Sequence, residues 1–161
     1  MKSLLSRGKI VAILRNEGKN EILLFLNEDC KLQRFYYEKS INCLFKELSN
    51  YYHRSILEDR KIISKEYGYD QKVPMIINAN DLLLFPTKSI ENTNCVLLNY
   101  YCINEYKKKD KNTLIEFCIP YNNSKIILNE KLLVNCDIRT IKHQISRCVT
   151  INNTLKQRNI I

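Results

Sequence analysis

Glycine and proline are scarce in this chain, and tryptophan is absent. The 161 residues include only 3 glycines and 3 prolines. The glycines stand far apart at Gly8, Gly18 and Gly68, so a glycine-rich loop that cradles phosphates cannot form. The same scarcity excludes low-complexity segments and long flexible linkers. The length, with 45% hydrophobic residues, predicts one globular domain with a sizeable core.

Catalytic and metal-binding motifs are also missing. No Walker A, dinucleotide-binding, zinc-protease or nucleophile-elbow pattern occurs, and we expect no enzymatic activity. The 7 cysteines are odd in number and form no Cys-x-x-Cys pair, which favours buried thiols over disulfides. Cys136, His143 and Cys148 are not spaced like the paired ligands of a zinc site. No metal or cofactor is therefore predicted.

Long hydrophobic runs are absent as well. No apolar stretch approaches the roughly 20 residues that a membrane-spanning helix needs. Arg7, Lys9 and Arg15 interrupt the apolar N-terminal region, and no small-residue cleavage site follows it. We therefore expect a soluble protein in the cytoplasm.

The net charge is the most informative property of the composition. Lysine and arginine together exceed aspartate and glutamate by 9. Such an excess favours an anionic partner, nucleic acid first and acidic membrane or protein surfaces second. No acidic residue follows Asp137, whereas basic residues continue to the C-terminal end: Arg139, Lys142, Arg147, Lys156 and Arg158. A basic protein without an anionic partner remains the alternative at this point.

The N-terminal region has the pattern of strands. Residues 9–15 and 21–26 are apolar and rich in branched side chains, and residues 16–20 between them carry turn chemistry. This arrangement predicts a hairpin. A third strand is predicted over residues 32–37.

The pattern then changes to a helical one, from about residue 39 to residue 67. Apolar residues recur at steps of three and four, and the interruption near residues 50–54 predicts two helices. Ser55 followed by Glu58 predicts a capping box at the start of the second helix. Gly68 is typical of the position just after a helix ends.

The second half is predicted to consist of strands followed by one helix. The predicted strands are residues 74–78, 82–85, 95–105, 113–119 and 125–129. Residues 107–112 and 120–123 are predicted turns, and residues 137–157 a C-terminal amphipathic helix. The fold class expected is therefore α+β, with a mostly antiparallel sheet, a central helical pair and a C-terminal helix.

Two of the predicted helices carry a basic stripe. At about 100° per residue, Arg54, Lys61 and Lys65 lie together on the second helix, opposite its apolar residues. On the last helix the apolar sector comprises Ile138, Ile141, Ile145, Cys148, Val149 and Leu155. The opposite side comprises Arg139, His143, Arg147 and Arg158. Two such stripes in a basic protein favour nucleic acid more than one stripe would.

Aromatic residues offer a second nucleic-acid hypothesis. The chain has 10 tyrosines and 5 phenylalanines, clustered at residues 35–37, 51–52 and 100–101. Tyrosines on a sheet can stack on the bases of single strands. In strands rich in isoleucine and leucine, however, tyrosine is more often a half-buried packing residue. No RNP-like run is present, which argues against an RRM.

Several segments resemble the ComK family, the competence transcription factors of Gram-positive bacteria. They are Ser-Ile-Leu-Glu-Asp-Arg-Lys at 55–61, Gln-Lys-Val-Pro-Met-Ile-Ile at 71–77, Phe-Pro-Thr-Lys-Ser at 85–89 and Asn-Cys-Val-Leu-Leu-Asn-Tyr at 94–100. Their order and spacing are similar to the family's, and the resemblance spans about residues 41 to 147. The chain departs from the family at Asp59, where members carry glycine, and at Leu97, where an aromatic residue is common.

The resemblance implies a sequence-specific activator of transcription. Such a protein would bind paired A/T-rich boxes in duplex DNA, mainly through the minor groove, as a dimer or higher oligomer. Arg60 and Lys61 match the family's basic pair, and Lys72, Thr87, Lys88 and Ser89 follow as phosphate or groove contacts. Charge geometry alone adds Arg54, Lys65, Arg139, Lys142 and Arg147.

Further partners also follow from the resemblance. They are a second copy of the chain, RNA polymerase and an adaptor of a Clp protease, although the chain is shorter than the members for which adaptor-mediated proteolysis is expected. Two other hypotheses remain open: an RNA- or single-strand-binding module that uses the tyrosines, and a basic adaptor that binds acidic proteins.

Overall fold

The computed structural model describes residues 1–16 and 19–158, without the side chains of Asn16 and Arg158. The helices are α1 (Lys2–Leu5), α2 (Ile41–Tyr52), α3 (Ile56–Tyr67) and α4 (Ile138–Arg158). The strands are β1 (Gly8–Asn16), β2 (Lys19–Leu26), β3 (Lys31–Tyr37), β4 (Met75–Asn78), β5 (Leu82–Pro86), β6 (Val96–Asn99), β7 (Ile103–Lys109), β8 (Asn112–Tyr121) and β9 (Ser124–Val134). The predicted α+β class is confirmed. Residues 17 and 18 of the first predicted turn lie outside the described residues.

Two antiparallel sheets organise the chain. Six strands form the larger sheet in the order β3-β2-β1-β6-β5-β4, and three form the smaller sheet in the order β7-β8-β9. Neighbouring residues along β2 belong to two different buried clusters, because successive side chains of a strand point to opposite faces. One face of the large sheet packs on α1 and α2, and the other face packs on the small sheet and α4.

The helical pair forms where the sequence predicts it. Ile41, Leu44, Phe45 and Leu48 bury one face of α2. Gly68 ends α3 with φ +70°, a conformation that glycine adopts without the strain of a Cβ atom. The predicted capping box is wrong, because Ser55 precedes α3 but its side chain makes no capping hydrogen bond. The Oγ of Ser49 instead accepts a hydrogen bond from the N–H of Ile56, at 3.4 Å.

The single strand predicted over residues 95–105 is also wrong. β6 ends at Asn99, a 3₁₀ turn occupies Tyr100–Cys102, and β7 continues in the other sheet. Asn99 is fully buried, and its side chain explains the break. Its Nδ2 donates to the carbonyls of Ile10 and Asp81, at 2.8 and 3.0 Å. Its Oδ1 accepts from the N–H groups of Leu83 and Tyr101, at 3.3 and 3.2 Å.

The other predicted elements of the second half are confirmed, with different boundaries. β8 and β9 are longer than expected, since their turns contain only residues 110–111 and 122–123. Val149 was placed on the apolar face of the last helix but is 39% exposed. Gln144 and Asn152 are buried instead, since each makes side-chain hydrogen bonds to other elements.

The cysteines make no disulfide among the described residues. Cys95, Cys102, Cys118 and Cys148 are buried, as expected for small apolar side chains, whereas Cys30 is exposed. Burial raises the pKa of the Cys102 thiol to about 12, which keeps it protonated at neutral pH. In the described part of the chain, no helix is both long and apolar enough to span a bilayer.

Candidate nucleic-acid interface

The first part of the candidate interface is the exposed side of α3. Burial of Ile56 and Ile63 holds the helix against the protein and leaves its basic residues outward. Arg60, Lys61 and Lys65 line an open cleft of about 470 Å³, and Asp70 and Val73 of the following segment form part of its other side. Lys61 lies 3.5 Å from Glu58 in an exposed ion pair, which contributes little to stability.

Gln144 of α4 connects two further parts of the candidate interface, the segment after α3 and the end of β5. Its side chain is 1% exposed. Its Nε2 donates to the carbonyl oxygens of Lys72 and Pro86, both at 2.7 Å. The segment after α3 and the end of β5 are thereby held against the same helix.

Lys72 and Lys88 consequently lie on one surface. Burial raises the pKa of the nearby Cys136 thiol to about 11, and the positive charges of both lysines oppose that rise. Lys72 has φ +53°, a left-handed conformation that is uncommon for a residue with a side chain. The hydrogen bond from Gln144 to the carbonyl of Lys72 helps to hold this strained conformation.

The loop between β5 and β6 is ordered by its own polar contacts. The Sγ of Cys95 donates to the carbonyl of Lys88 at 3.2 Å. The Nη1 of Arg15 donates to the carbonyls of Ile90 and Asn92. A hydrogen bond from Ser89 lowers the pKa of Glu91, and the positive charges of Arg60 and Arg15 lower it further. Arg60 of α3 is therefore within electrostatic range of the loop that carries Lys88.

The N-terminal end of α4 completes the surface. The carboxylate of Asp137 accepts a hydrogen bond from the backbone N–H of Arg139 at 2.8 Å. It also forms an ion pair with the Nε of the Arg139 side chain, at 3.2 Å. The hydrogen bonds from Arg139 lower the pKa of this carboxyl group. The side chain of Arg139 is 88% exposed, and Lys142 is also exposed.

Five of the predicted cations make no ion pair, side-chain hydrogen bond or ring contact among the described residues. They are Arg60, Lys65, Lys72, Lys88 and Lys142, which we call the unpaired cations. Because no carboxylate lies within ion-pair distance of them in the described part of the chain, they are available to an external anion. Lys61 and Arg139 make exposed ion pairs, and a phosphate can replace the carboxylate in each of them.

Four other predicted contacts are engaged in the fold. Thr87 is 2% exposed, and its Oγ1 accepts from the N–H of Val96 at 3.0 Å. Arg54 pairs with Asp59 at 2.9 Å, and the hydroxyl of Ser89 donates to Glu91. The guanidinium of Arg147 lies 4.3 Å from the ring centre of Tyr69 and donates to the carbonyl of Gln71 at 2.7 Å. The polar groups of these four residues are occupied by contacts within the protein.

Sequence reasoning missed Gln144 and Arg15, the two residues that arrange the surface. Gln144 follows Ile141 by three residues and precedes Cys148 by four, so it is a polar residue on the apolar face of its helix. That position in the sequence could have indicated a buried polar contact. No comparable pattern marks Arg15, because the residues that accept its hydrogen bonds lie 75 and 77 positions away in the sequence.

Replacement of Gln144 by leucine is expected to destabilise the protein and to weaken the interface together. Two buried carbonyls would lose their donor, at a cost of about 2 kcal/mol in the free energy of unfolding. Urea denaturation of Gln144→Leu against Gln157→Leu, an exposed position on the same helix, measures this difference. Equal midpoints for the two variants would contradict the role of Gln144.

The fold and the charge define a basic α+β domain. The family model described as ComK protein matches residues 11–159, so the chain belongs to the ComK family. This is a family of competence transcription factors, not of enzymes, which makes the protein a transcription factor of that general class. No curated protein and no solved structure matches the chain.

Proposed function

We propose that the protein activates the genes of DNA uptake by binding paired A/T-rich boxes in duplex DNA. Two observations support the proposal: Gln144 holds the segments that carry Lys72 and Lys88 against α4, and Arg60 and Lys65 line one cleft with Asp70 and Val73. Lysines and arginines spread in this way suit a run of phosphates and the entrance of a groove. Such a protein acts in the cytoplasm.

Minor-groove recognition agrees with the chemistry of this surface. A narrow A-tract minor groove has an enhanced negative potential that attracts inserted lysine and arginine side chains. Its hydrogen-bond pattern distinguishes A·T from G·C pairs but little more, so the spacing of the boxes would supply further specificity. Two boxes require two copies of the protein, which suggests a two-fold dimer or a higher oligomer on the DNA.

Fluorescence anisotropy with two duplexes of equal length tests the proposal. One duplex carries two A/T boxes and the other a G/C-rich scramble, at about 150 mM salt. We expect a preference on the order of 10³-fold for the A/T duplex, the range of specific protein–DNA complexes. Equal binding would reduce the function to non-specific attraction, and preferred binding to single strands would support the rival that uses the tyrosines.

Boxes built from inosine·cytosine pairs separate the two grooves. Such pairs present the major-groove edge of G·C but lack the amino group that distinguishes G·C in the minor groove. Retained affinity for the inosine duplex is expected from minor-groove recognition. A loss of affinity to the level of the G/C scramble would place the recognition in the major groove.

RNA polymerase and the adaptor of a Clp protease remain proposed partners on the strength of family membership alone. Activation requires a contact with the transcription machinery, and removal of the protein by proteolysis would end it.

A further inference from the structure

A groove lies between β7 and the middle and C-terminal parts of α4. β7 is an edge strand, with β8 as its only strand neighbour in the described part of the chain. The groove has a volume of about 560 Å³. Its lining includes Tyr100, Asn104, Tyr106, Ile145, Asn152 and Lys156. The N–H and C=O groups on the free side of an edge strand are available to pair with another chain.

Two amides in the groove retain hydrogen-bonding capacity. The Nδ2 of Asn104 donates to Glu116 at 2.9 Å, while its Oδ1 is buried without a partner among the described residues. Asn152 is 8% exposed, and its Oδ1 accepts from the hydroxyl of Tyr101 at 2.8 Å. Its Nδ2 makes no hydrogen bond in the described part of the chain. The unused donor of Asn152 can therefore bind a carbonyl group of a peptide in the groove.

The charges around the groove are mostly positive. Lys107, Lys108 and Lys109 end β7, and Lys111 follows in the turn. Lys156 lines the groove from α4, which carries no acidic residue. The nearby carboxylates are engaged, since Glu116 accepts from Asn104 and Glu105 lies 4.0 Å from Lys107. An occupant with carboxylates along this edge would therefore be favoured.

We propose that this groove binds an extended acidic peptide of a partner protein. The peptide pairs with the free edge of β7 as an added strand, in the manner of domains that hold a peptide between an edge strand and a helix. One aromatic or branched side chain of the peptide contacts Tyr100, Tyr106 and Ile145. Its carboxylates, on the alternate residues, lie along Lys107 and Lys109, which point to the opposite face of the sheet from Tyr106.

The same observations disfavour two other occupants. A second copy of this chain carries a net charge of +9, so two copies repel each other unless an anion lies between them. A nucleic-acid strand would satisfy the lysines and could stack on the tyrosines, but it would leave the free backbone groups of β7 unpaired. The proposal does not depend on DNA recognition by the unpaired cations.

Selection from a random peptide library displayed on phage, with the intact protein immobilised, is the test. Enriched sequences are expected to alternate glutamate or aspartate with aromatic or branched residues. The charge-reversed variant Lys107→Glu/Lys109→Glu is expected to bind a synthetic enriched peptide at least about tenfold more weakly. The matched control Lys31→Glu/Lys39→Glu reverses the charge of two exposed lysines, one at the start of β3 and one in the segment after it. This control should retain binding.

Strand addition has its own test. The enriched peptide is resynthesised with N-methyl groups at alternate residues, which removes the backbone donors along one edge. At least one of the two alternate patterns is expected to weaken binding by about tenfold or more. Enrichment without acidic residues, binding unaffected by both methylation patterns, or displacement of the peptide by a single-stranded oligonucleotide at equal concentration would each overturn the proposal.

Discussion

The triple variant Arg60→Ala/Lys72→Ala/Lys88→Ala is expected to bind the A/T duplex on the order of 100-fold more weakly than the natural sequence at about 150 mM salt. The three residues come from different segments, and none makes an ion pair within the described residues. Their loss removes attraction to phosphates without breaking an internal pair. Anisotropy titrations across a range of salt concentrations measure the effect.

Salt dependence gives this prediction a second readout. Each phosphate contact contributes about −0.9 to the slope of the logarithm of the binding constant against the logarithm of salt concentration. Three lost contacts should therefore make that slope less negative by about 2.7. A weaker complex with an unchanged slope would mean that the residues act by another route.

A matched control addresses the loss of net charge. The variant Lys19→Ala/Lys31→Ala/Lys39→Ala also removes three positive charges, from exposed positions on β2, on β3 and in the segment after β3. β3 is the edge of the large sheet opposite to β4, the strand on which α3 packs. Equal weakening in both triple variants would show that only net charge matters and would contradict a localised interface. Circular dichroism confirms that both variants are folded.

Replacement of Asn99 by alanine is expected to cost about 4 kcal/mol in the free energy of unfolding. Four backbone groups, on Ile10, Asp81, Leu83 and Tyr101, would lose their partner in a fully buried place. The loss is a large fraction of the stability of an ordinary domain. Urea denaturation, read as a change of midpoint at constant slope, measures it.

Two further variants make the second prediction decisive. Asn99→Ser retains one hydroxyl that can replace part of the network, so its midpoint should fall between those of the alanine variant and the natural sequence. Asn129→Ala removes an exposed amide on β9 and is expected to change stability by less than about 0.5 kcal/mol. An Asn99→Ala midpoint equal to that of Asn129→Ala would refute the structural role of Asn99.

Sequence patterns predict those elements whose causes are local. α2 and α3 follow from apolar residues at helical spacing, and Gly68 marks the end of α3. The break after Asn99 was not predictable in the same way, because the apolar pattern continues through the 3₁₀ turn. What ends β6 includes a hydrogen bond to Ile10, which is 89 residues away.

The candidate interface shows the same division. Arg60, Lys61 and Lys65 follow from the geometry of one helix. The proximity of Lys72 to Lys88 depends on Gln144, which lies 72 and 58 residues from the two carbonyls that it binds. Tertiary contacts also decide which cations are free, since Arg54 and Arg147 have the same chemistry as Arg60 but make contacts within the protein.

The pairing of β1 with β6 has a consequence for how the chain folds during synthesis. Ala12 pairs with Leu98, so the middle of the large sheet joins the two ends of a long chain segment. A ribosome adding about 5–20 residues per second takes several seconds to make that segment. During this interval β1 can pair with β2 but presents a free apolar edge on its other side. The nascent protein is therefore most prone to aggregation before β6 emerges, and a chaperone that binds extended apolar segments should act in that interval.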